Sequence, residues 1–280
     1  MTLKIAYLGP TGTNTETAGL AYVNWLEQEQ NQSSVLCPYG SIAQTLKAVV
    51  DKEADLAVVP VENSTQGSVT ITLDTIWELS QLQITQALVL PINHALISHQ
   101  TELTEIKTIF SHPQALAQCQ RWLETHLPNA QLVASNSTTE ALQHIDKEAN
   151  TAAIASPRAA KLYELPILVA NINDYPENRT RFWVLGLKAT ENGSHISLAF
   201  SLPANVPGAL MTPLEIFARR GINLSRIESR PTKRSLGEYL FFIDLEINEN
   251  QESVKSALQE LKTHTEVLKI FGNYNVFTIE

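Results

Sequence analysis

Leu56-Ala57-Val58-Val59-Pro60-Val61, followed at once by Glu62-Asn63-Ser64-Thr65, is the stretch on which the fold turns. An uncharged apolar run of this length is too short for a helix and reads as a strand covered on both faces. The same signature recurs along the first two-thirds of the chain. Leu3 to Leu8 runs into Gly9-Pro10, and Ile109-Phe110 runs into Ser111. Val35 to Tyr39, Ile84 to Leu90, Ile92 to Ile97, Leu132 to Ala134, Ala152 to Ala155 and Arg181 to Leu187 are further strand candidates. Helical stretches fill the gaps. Asn14 to Gln30 is one. Ser41, with Gln44 three residues on, has the spacing of a capping box ahead of a helix to about Asp51. Ser111 as N-cap with Pro113 in the first turn predicts a helix to about Leu127, before Pro128. Another is expected near Thr139 to Glu148, and Ser156-Pro157 repeats the cap-plus-proline start. Strands alternating with helices imply an α/β fold with a mostly parallel sheet. In such sheets ligands bind beyond the carboxyl ends of the strands, where the clusters at Gly9, Glu62 and Ser111 fall.

The pattern changes near Glu191-Asn192-Gly193-Ser194. Beyond it the reading is strand Ile196 to Leu202, a helix ending at Arg219-Arg220-Gly221, strands Leu224 to Glu228 and Tyr239 to Glu246, helix Glu252 to Thr263, and strand Val267 to Tyr274. That order is the ferredoxin-like βαββαβ split pattern. We therefore expect two domains, 1–190 and 194–280. A length of 280 residues agrees with about two domains.

Composition narrows the classes of function. Apolar residues make up 44% and charged residues 18%, as in an ordinary globular protein. The net charge of −9 argues against nucleic acid or an anionic membrane as partner. No apolar stretch approaches the ~18 residues of a membrane span, and the first apolar run is too short for a secretory signal. Cys37 and Cys119 are too few for a disulfide framework, and no Cys or His pair has metal-ligand spacing. The expectation is a cytoplasmic protein with no metal.

The polar clusters admit local explanations. Glu62-Asn63-Ser64-Thr65 fits a turn and helix cap as well as a set of donors converging on a polar ligand. Ser111 and Gln118 are seven residues apart, about two helical turns, and could share a face at a helix end that attracts anions. Gly9-Pro10-Thr11-Gly12-Thr13 lacks the Gly-Lys-Ser/Thr ending of a phosphate loop. Arg179-Thr180-Arg181-Phe182 concentrates two guanidinium groups, the side chains best shaped to clamp a carboxylate.

Taken in order, these segments resemble the prephenate dehydratase family over essentially the whole chain. Gly9-Pro10-Thr11-Gly12-Thr13, Val59-Pro60-Val61-Glu62-Asn63-Ser64-Thr65-Gln66-Gly67-Ser68-Val69, Ser111-His112-Pro113-Gln114-Ala115-Leu116-Ala117-Gln118-Cys119, Ala152-Ala153-Ile154-Ala155-Ser156 and Asn178-Arg179-Thr180-Arg181-Phe182 are similar to its catalytic signatures. Gly208-Ala209-Leu210 and Glu228-Ser229-Arg230-Pro231 resemble the effector motifs of its ACT domain.

The resemblance implies a two-lobe catalytic domain like that of periplasmic binding proteins, followed by an ACT regulatory domain. It implies the loss of water and carbon dioxide from prephenate to give phenylpyruvate, with no cofactor and with phenylalanine as allosteric effector. A homodimer or homotetramer follows from it, as does the monofunctional form. By the same resemblance Thr180 acts at the leaving hydroxyl and Glu62 is a candidate proton source. Thr13, Asn63, Ser64, Thr65, Ser111, Gln114, Gln118, Arg181 and Phe182 would bind substrate. Gly208, Ala209, Leu210, Asn223, Leu224, Glu228, Ser229 and Arg230 would bind the effector.

Two departures stand out. Thr13-Asn14-Thr15 replaces the usual Gly-Thr-Phe continuation with polar groups, and Thr212-Pro213-Leu214-Glu215 predicts a capping box that starts the following helix late. Arogenate dehydratase is the nearest competing activity. A non-catalytic amino-acid sensor is the competing class.

Overall fold

A computed structural model describes residues 2–247 and 251–279. Leu3–Leu8 lies between Ser34–Tyr39 and Leu56–Asn63, parallel to both, with Ile5 opposite Leu56. Arg179–Gly186 returns from far along the chain and inserts antiparallel between Leu56–Asn63 and Gln83–Pro91. These strands form the first lobe, mixed rather than mostly parallel. Residues between them build the second lobe. Its sheet runs Ile167–Val169, Ala95–Ile97, Thr151–Ala155, Thr108–Ser111, Gln131–Ala134, parallel at the last three.

The chain passes between lobes twice, near 92–94 and 170–178, and the two passages are tied together. His94 N donates to Asn173 Oδ1 (2.7 Å), Asn173 Nδ2 to Ile92 O (2.8 Å) and Ile92 N to Asn178 O (2.8 Å). Two lobes on a double crossover are the architecture of periplasmic binding proteins. The C-terminal unit has the ferredoxin-like strand order Asn223–Pro231, Tyr239–Glu246, His195–Ser201, Val267–Thr278.

Local sequence explains most element ends. Asn14–Gln30 starts at the Thr13 hydroxyl, which accepts from Glu16 N, and Ile42–Val50 starts at Ser41, which accepts from Gln44 N. Each such cap contributes about 1 kcal/mol. Other expectations need correction. Ser111 does not cap the helix after it. It stays in the sheet, its carbonyl accepting from Ser135 N, and Pro113 at the first helical position makes His112 the cap. The expected helix to Leu127 breaks at Cys119 into Pro113–Gln118 and Gln120–His126. The helix near Thr139 is shorter, Thr138–Leu142, because the chain tightens into i→i+3 turns at His144 and Ile145. Ile92 to His94 is the first crossover, and the strand is only Ala95–Ile97. The Thr212 capping box does not form. Gly208, at φ +81°, turns the chain directly into helix Met211–Ala218. Pro213 then falls in the first turn, where no N–H bond is lost.

The final strand runs past Tyr274 to Thr278. After pairing with His195–Ser201 it pairs parallel with Gln86–Val89 of the first lobe, so one sheet crosses both units. Gly272 marks the close approach, since a Cβ there would lie 2.3 Å from Ile84 O. Side chains follow the backbone. Trp183 and Leu185 of the first lobe share a buried cluster with Ala199, Phe242, Phe271 and Tyr274. The C-terminal unit is therefore packed onto the lobe that carries Thr180.

Candidate active site

Asn63 ends its strand directly opposite Thr180, and both are buried. The Asn63 amide donates to Thr180 Oγ1 (2.9 Å) and Asn178 Oδ1 (2.8 Å). Its carbonyl oxygen accepts from Thr65 N (3.1 Å), Thr65 Oγ1 (2.7 Å) and, across the cleft, Gln118 Nε2 (3.3 Å). Gln118 Nε2 also reaches Thr65 Oγ1 at 3.2 Å, and Gln118 Oε1 lies 2.7 Å from His94 Nε2. Because both amide hydrogens of Gln118 point at Asn63 and Thr65, its oxygen takes the His94 proton. His94 is then neutral with hydrogen on Nε2. Burial holds the imidazole below its ordinary range, against the opposing Gln118 bond.

The result is a neutral hydrogen-bonded row, His94–Gln118–Asn63–Thr180, that spans both lobes. The Asn63 amide occupies a lone pair of Thr180. Among the described residues no acceptor takes the Thr180 proton, which leaves it to donate to a ligand. His94 Nδ1 and Asn178 Nδ2 are buried with no protein partner. Polar atoms in that state mark where a polar ligand would be satisfied.

Other contacts bring the lobes together. Gln66 Nε2 donates to Gln114 O (3.3 Å), and Arg158 of the second lobe pairs with Glu16 of the first at 2.6 Å. Gly12, at φ +91°, lets the first loop lie against the second lobe, where a Cβ would meet Thr139 at 2.8 Å.

Some expected site residues lie elsewhere. Glu62 and Arg181 are neighbours of Asn63 and Thr180, so strand alternation sends them to the opposite face. There Arg181 Nη2 donates to Glu62 Oε2 (2.5 Å) and lies 2.9 Å from Asp244 Oδ2 of the C-terminal unit. Asp244 is fully buried, which alone would raise its carboxyl. The Arg226 and Arg181 guanidiniums and the Ser197 hydroxyl hold it below the ordinary carboxylate range. The Ser111 hydroxyl is buried and donates to Ile154 O (2.6 Å). Phe182 is core, packed with Tyr7, Leu88 and Val184. The Thr13 hydroxyl donates to Leu8 O while capping its helix. Ser64 is at the cleft edge, where its hydroxyl accepts from Arg179 N (2.9 Å) and donates to Asn178 Oδ1 (3.4 Å).

In the C-terminal unit, Gly208, Ala209 and Leu210 form the turn before Met211–Ala218. Leu224 packs on that unit's own core, and Asn223 Nδ2 donates to Glu246 (2.8 Å). Glu228 and Arg230 face the first lobe, whereas Ser229 between them is exposed. A cavity of about 320 Å³ lies nearby, between the Ser201–Asn205 segment and the 232–239 hairpin. None of the expected effector residues lines it.

His94 in the row, Asn178 beside it and Asp244 behind it were not foreseen. Asp244 did carry a signal, as a carboxylate inside the apolar strand Leu240-Phe241-Phe242-Ile243. The described residues contain no group of three or more His, Cys, Asp or Glu that could hold a metal ion, and no helix long and apolar enough to cross a membrane.

Comparison with known proteins bears on this geometry. A family model described as prephenate dehydratase matches residues 5–190, and one described as ACT domain matches 196–263. The bifunctional chorismate mutase/prephenate dehydratase of Aquifex aeolicus is 40% identical over 97% of this chain and 73% of its own. The prephenate dehydratase of Lactococcus lactis subsp. lactis is 38% identical over 99% of both. The solved structure of prephenate dehydratase from Arthrobacter aurescens in complex with L-Phe is 36% identical, with a TM-score of 0.84 over 98% of this chain and 90% of that one.

Proposed function

The chain belongs to the prephenate dehydratase family, and from that premise we propose how its cleft performs the decarboxylating dehydration of prephenate to phenylpyruvate. Prephenate is a dianion with a ring hydroxyl. The electrons of the breaking carbon–carboxylate bond flow into the ring and expel that hydroxyl. The departing hydroxyl takes up one proton from solvent, and carbon dioxide and water leave as the ring becomes aromatic. No carbon-bound proton is removed, so the essential group is a donor at the departing oxygen.

The observation that carries this reading is the neutral row ending at Thr180. A threonine hydroxyl is too weak an acid to transfer its proton outright. With its lone pair held by Asn63 it donates a stronger hydrogen bond to the leaving hydroxyl, and does so more strongly as negative charge develops there. Neutral partners also suit the carboxylate that must leave, since a tight ion pair would stabilise the ground state more than the transition state.

Asn63 and Gln118 orient this donor, while Thr65, Ser64 and Gln114 line the approach. We assign Ser111 and Phe182 to the supporting wall and Thr13 to the first loop's anchor. Glu62 supports the strand from behind with Arg181, and is not the acid.

Phenylalanine is the proposed effector of the C-terminal unit, after the relative solved with L-Phe. That unit ends in an edge strand, Asn223–Pro231, with Ile227 exposed, and we propose that a second copy pairs there to give a dimer or a pair of dimers in the cytoplasm. Competing prephenate against arogenate in one reaction tests the substrate. The expected result is preferential consumption of prephenate, slowed by phenylalanine. Preferential consumption of arogenate would overturn the substrate reading, and consumption of neither would make the chain a sensor.

A further inference from the structure

The reaction leaves one buried feature without a role. It is a row of charges on the rear of the catalytic strands, interleaved from two units. Asp244 belongs to the C-terminal unit, yet its carboxylate lies between Arg181 of the first lobe (2.9 Å) and Arg226 of its own sheet (2.8 Å). Arg181 follows Thr180 in the strand, so the guanidinium pulled backward by Asp244 and the hydroxyl presented forward share one backbone.

The row continues outward. Arg226 Nη1 donates to Ser68 Oγ (3.4 Å), and Ser68 Oγ donates to Glu228 Oε2 (3.0 Å). Ser68 pairs in register with Glu62, the other partner of Arg181. Two residues beyond Glu228, Arg230 grips Asp74 of the first lobe through two bonds of 3.0 Å. Buried ions tolerate few arrangements, because each must keep a partner. A displacement of Glu228 is therefore met by rearrangement along the row rather than absorbed locally.

We propose that Asp244 is a positioning residue for the reaction, holding Arg181 and thereby Thr180, and that Ser68 is the joint through which a displacement of Glu228 reaches it. This rests on the reading of the cleft and effector given above. It gives Glu228 and Arg230 a grip on the catalytic lobe alongside the effector role expected of their motif.

Two variants of the full-length chain test it, assayed well below their unfolding midpoints. Ser68→Ala cuts the joint and leaves Arg181, Asp244 and Arg226 paired. Its turnover of prephenate is expected to stay within about twofold of wild type and calorimetry to show phenylalanine still bound, while the half-inhibiting concentration rises about tenfold or more. Asp244→Asn is expected to lower kcat about tenfold with KM little changed, as misplacement of a reacting group does. Unaltered inhibition in Ser68→Ala would overturn the proposal, as would loss of phenylalanine binding itself, which would put Ser68 in the effector site. Wild-type kcat in Asp244→Asn would overturn the positioning role. If Asp244→Asn does not fold, Ser68→Ala decides alone. Wild-type turnover that ignores bound phenylalanine would overturn this proposal and leave the cleft reading intact. A wild type inert toward prephenate would remove both.

Discussion

Replacing Thr180 with valine removes one hydroxyl and keeps the shape of the side chain. The structure separates its two consequences. For stability, the Asn63 amide loses one acceptor at 2.9 Å but keeps Asn178 Oδ1 at 2.8 Å and Arg179 O at 3.2 Å. The loss is that of a single net hydrogen bond, about 1 kcal/mol. For a chain of this size that lowers the unfolding midpoint by about 2–4 °C. For catalysis, the hydroxyl that Asn63 holds, proposed above as the donor to the leaving group, is gone. A positioned proton-transfer or hydrogen-bonding group contributes about 10²–10⁴ in rate. That corresponds to about 3–5 kcal/mol of transition-state stabilisation. The expected variant is therefore folded, binds prephenate with little change in KM, and turns over at least about a hundredfold more slowly. Thr180→Ser keeps the donor and is expected to recover most of the rate. The assay is continuous phenylpyruvate formation alongside thermal unfolding of the same samples. A folded Thr180→Val enzyme within a few-fold of wild type would refute the role given to this hydroxyl.

Other outcomes follow from the same geometry. Gln118→Met cuts the row between lobes and leaves His94 Nε2 and Asn63 Oδ1 short of a partner, so kcat/KM is expected to fall tenfold or more by steady-state kinetics. Asp244→Ala leaves Arg181 and Arg226 buried without their carboxylate, and urea unfolding is expected to show a loss of about 3–5 kcal/mol. Buried His94 has its pKa lowered by desolvation, so the folded state binds fewer protons than the unfolded chain. Its contribution is intact above the unfolded value of about 6.5 and is lost as pH falls below it, so the midpoint is expected to drop from there with a shallower slope in His94→Gln. Cys119 is fully buried and its thiol is pushed up to about 12 by desolvation and the Asp174 charge, so a thiol reagent is expected to label Cys37 alone until the protein unfolds.

Much of the fold was legible because the signals are local. The apolar run Leu3 to Leu8 and the span Asn14 to Gln30 appear as elements with those same limits. Ser41 and Ser156 cap helices through the hydroxyl bonds their positions predicted. What escaped depends on facing and on distant partners. Ending the strand that starts at Leu56 at Val61 treats Glu62 and Asn63 as one loop cluster. The strand continues through Asn63, and adjacent strand residues face opposite ways, so only Asn63 joins Thr180. Ser111 looked like a helix cap because Pro113 follows, but a fully covered strand end keeps its hydroxyl for Ile154. His94 lies among apolar residues that read as strand, and nothing local says that the chain is crossing between lobes. The partnership of Arg181 with Asp244 depends on the last strand carrying the C-terminal sheet onto the first lobe, which no local pattern encodes.

The most direct test of the central claim is to mix the purified chain with prephenate at pH 8, where spontaneous acid-driven aromatisation is slow, and measure phenylpyruvate and carbon dioxide together. The account predicts equal amounts of the two, formed far faster than in a buffer blank and slowed at least about a hundredfold by Thr180→Val. Formation at the blank rate, or an equally fast Thr180→Val enzyme, would contradict it.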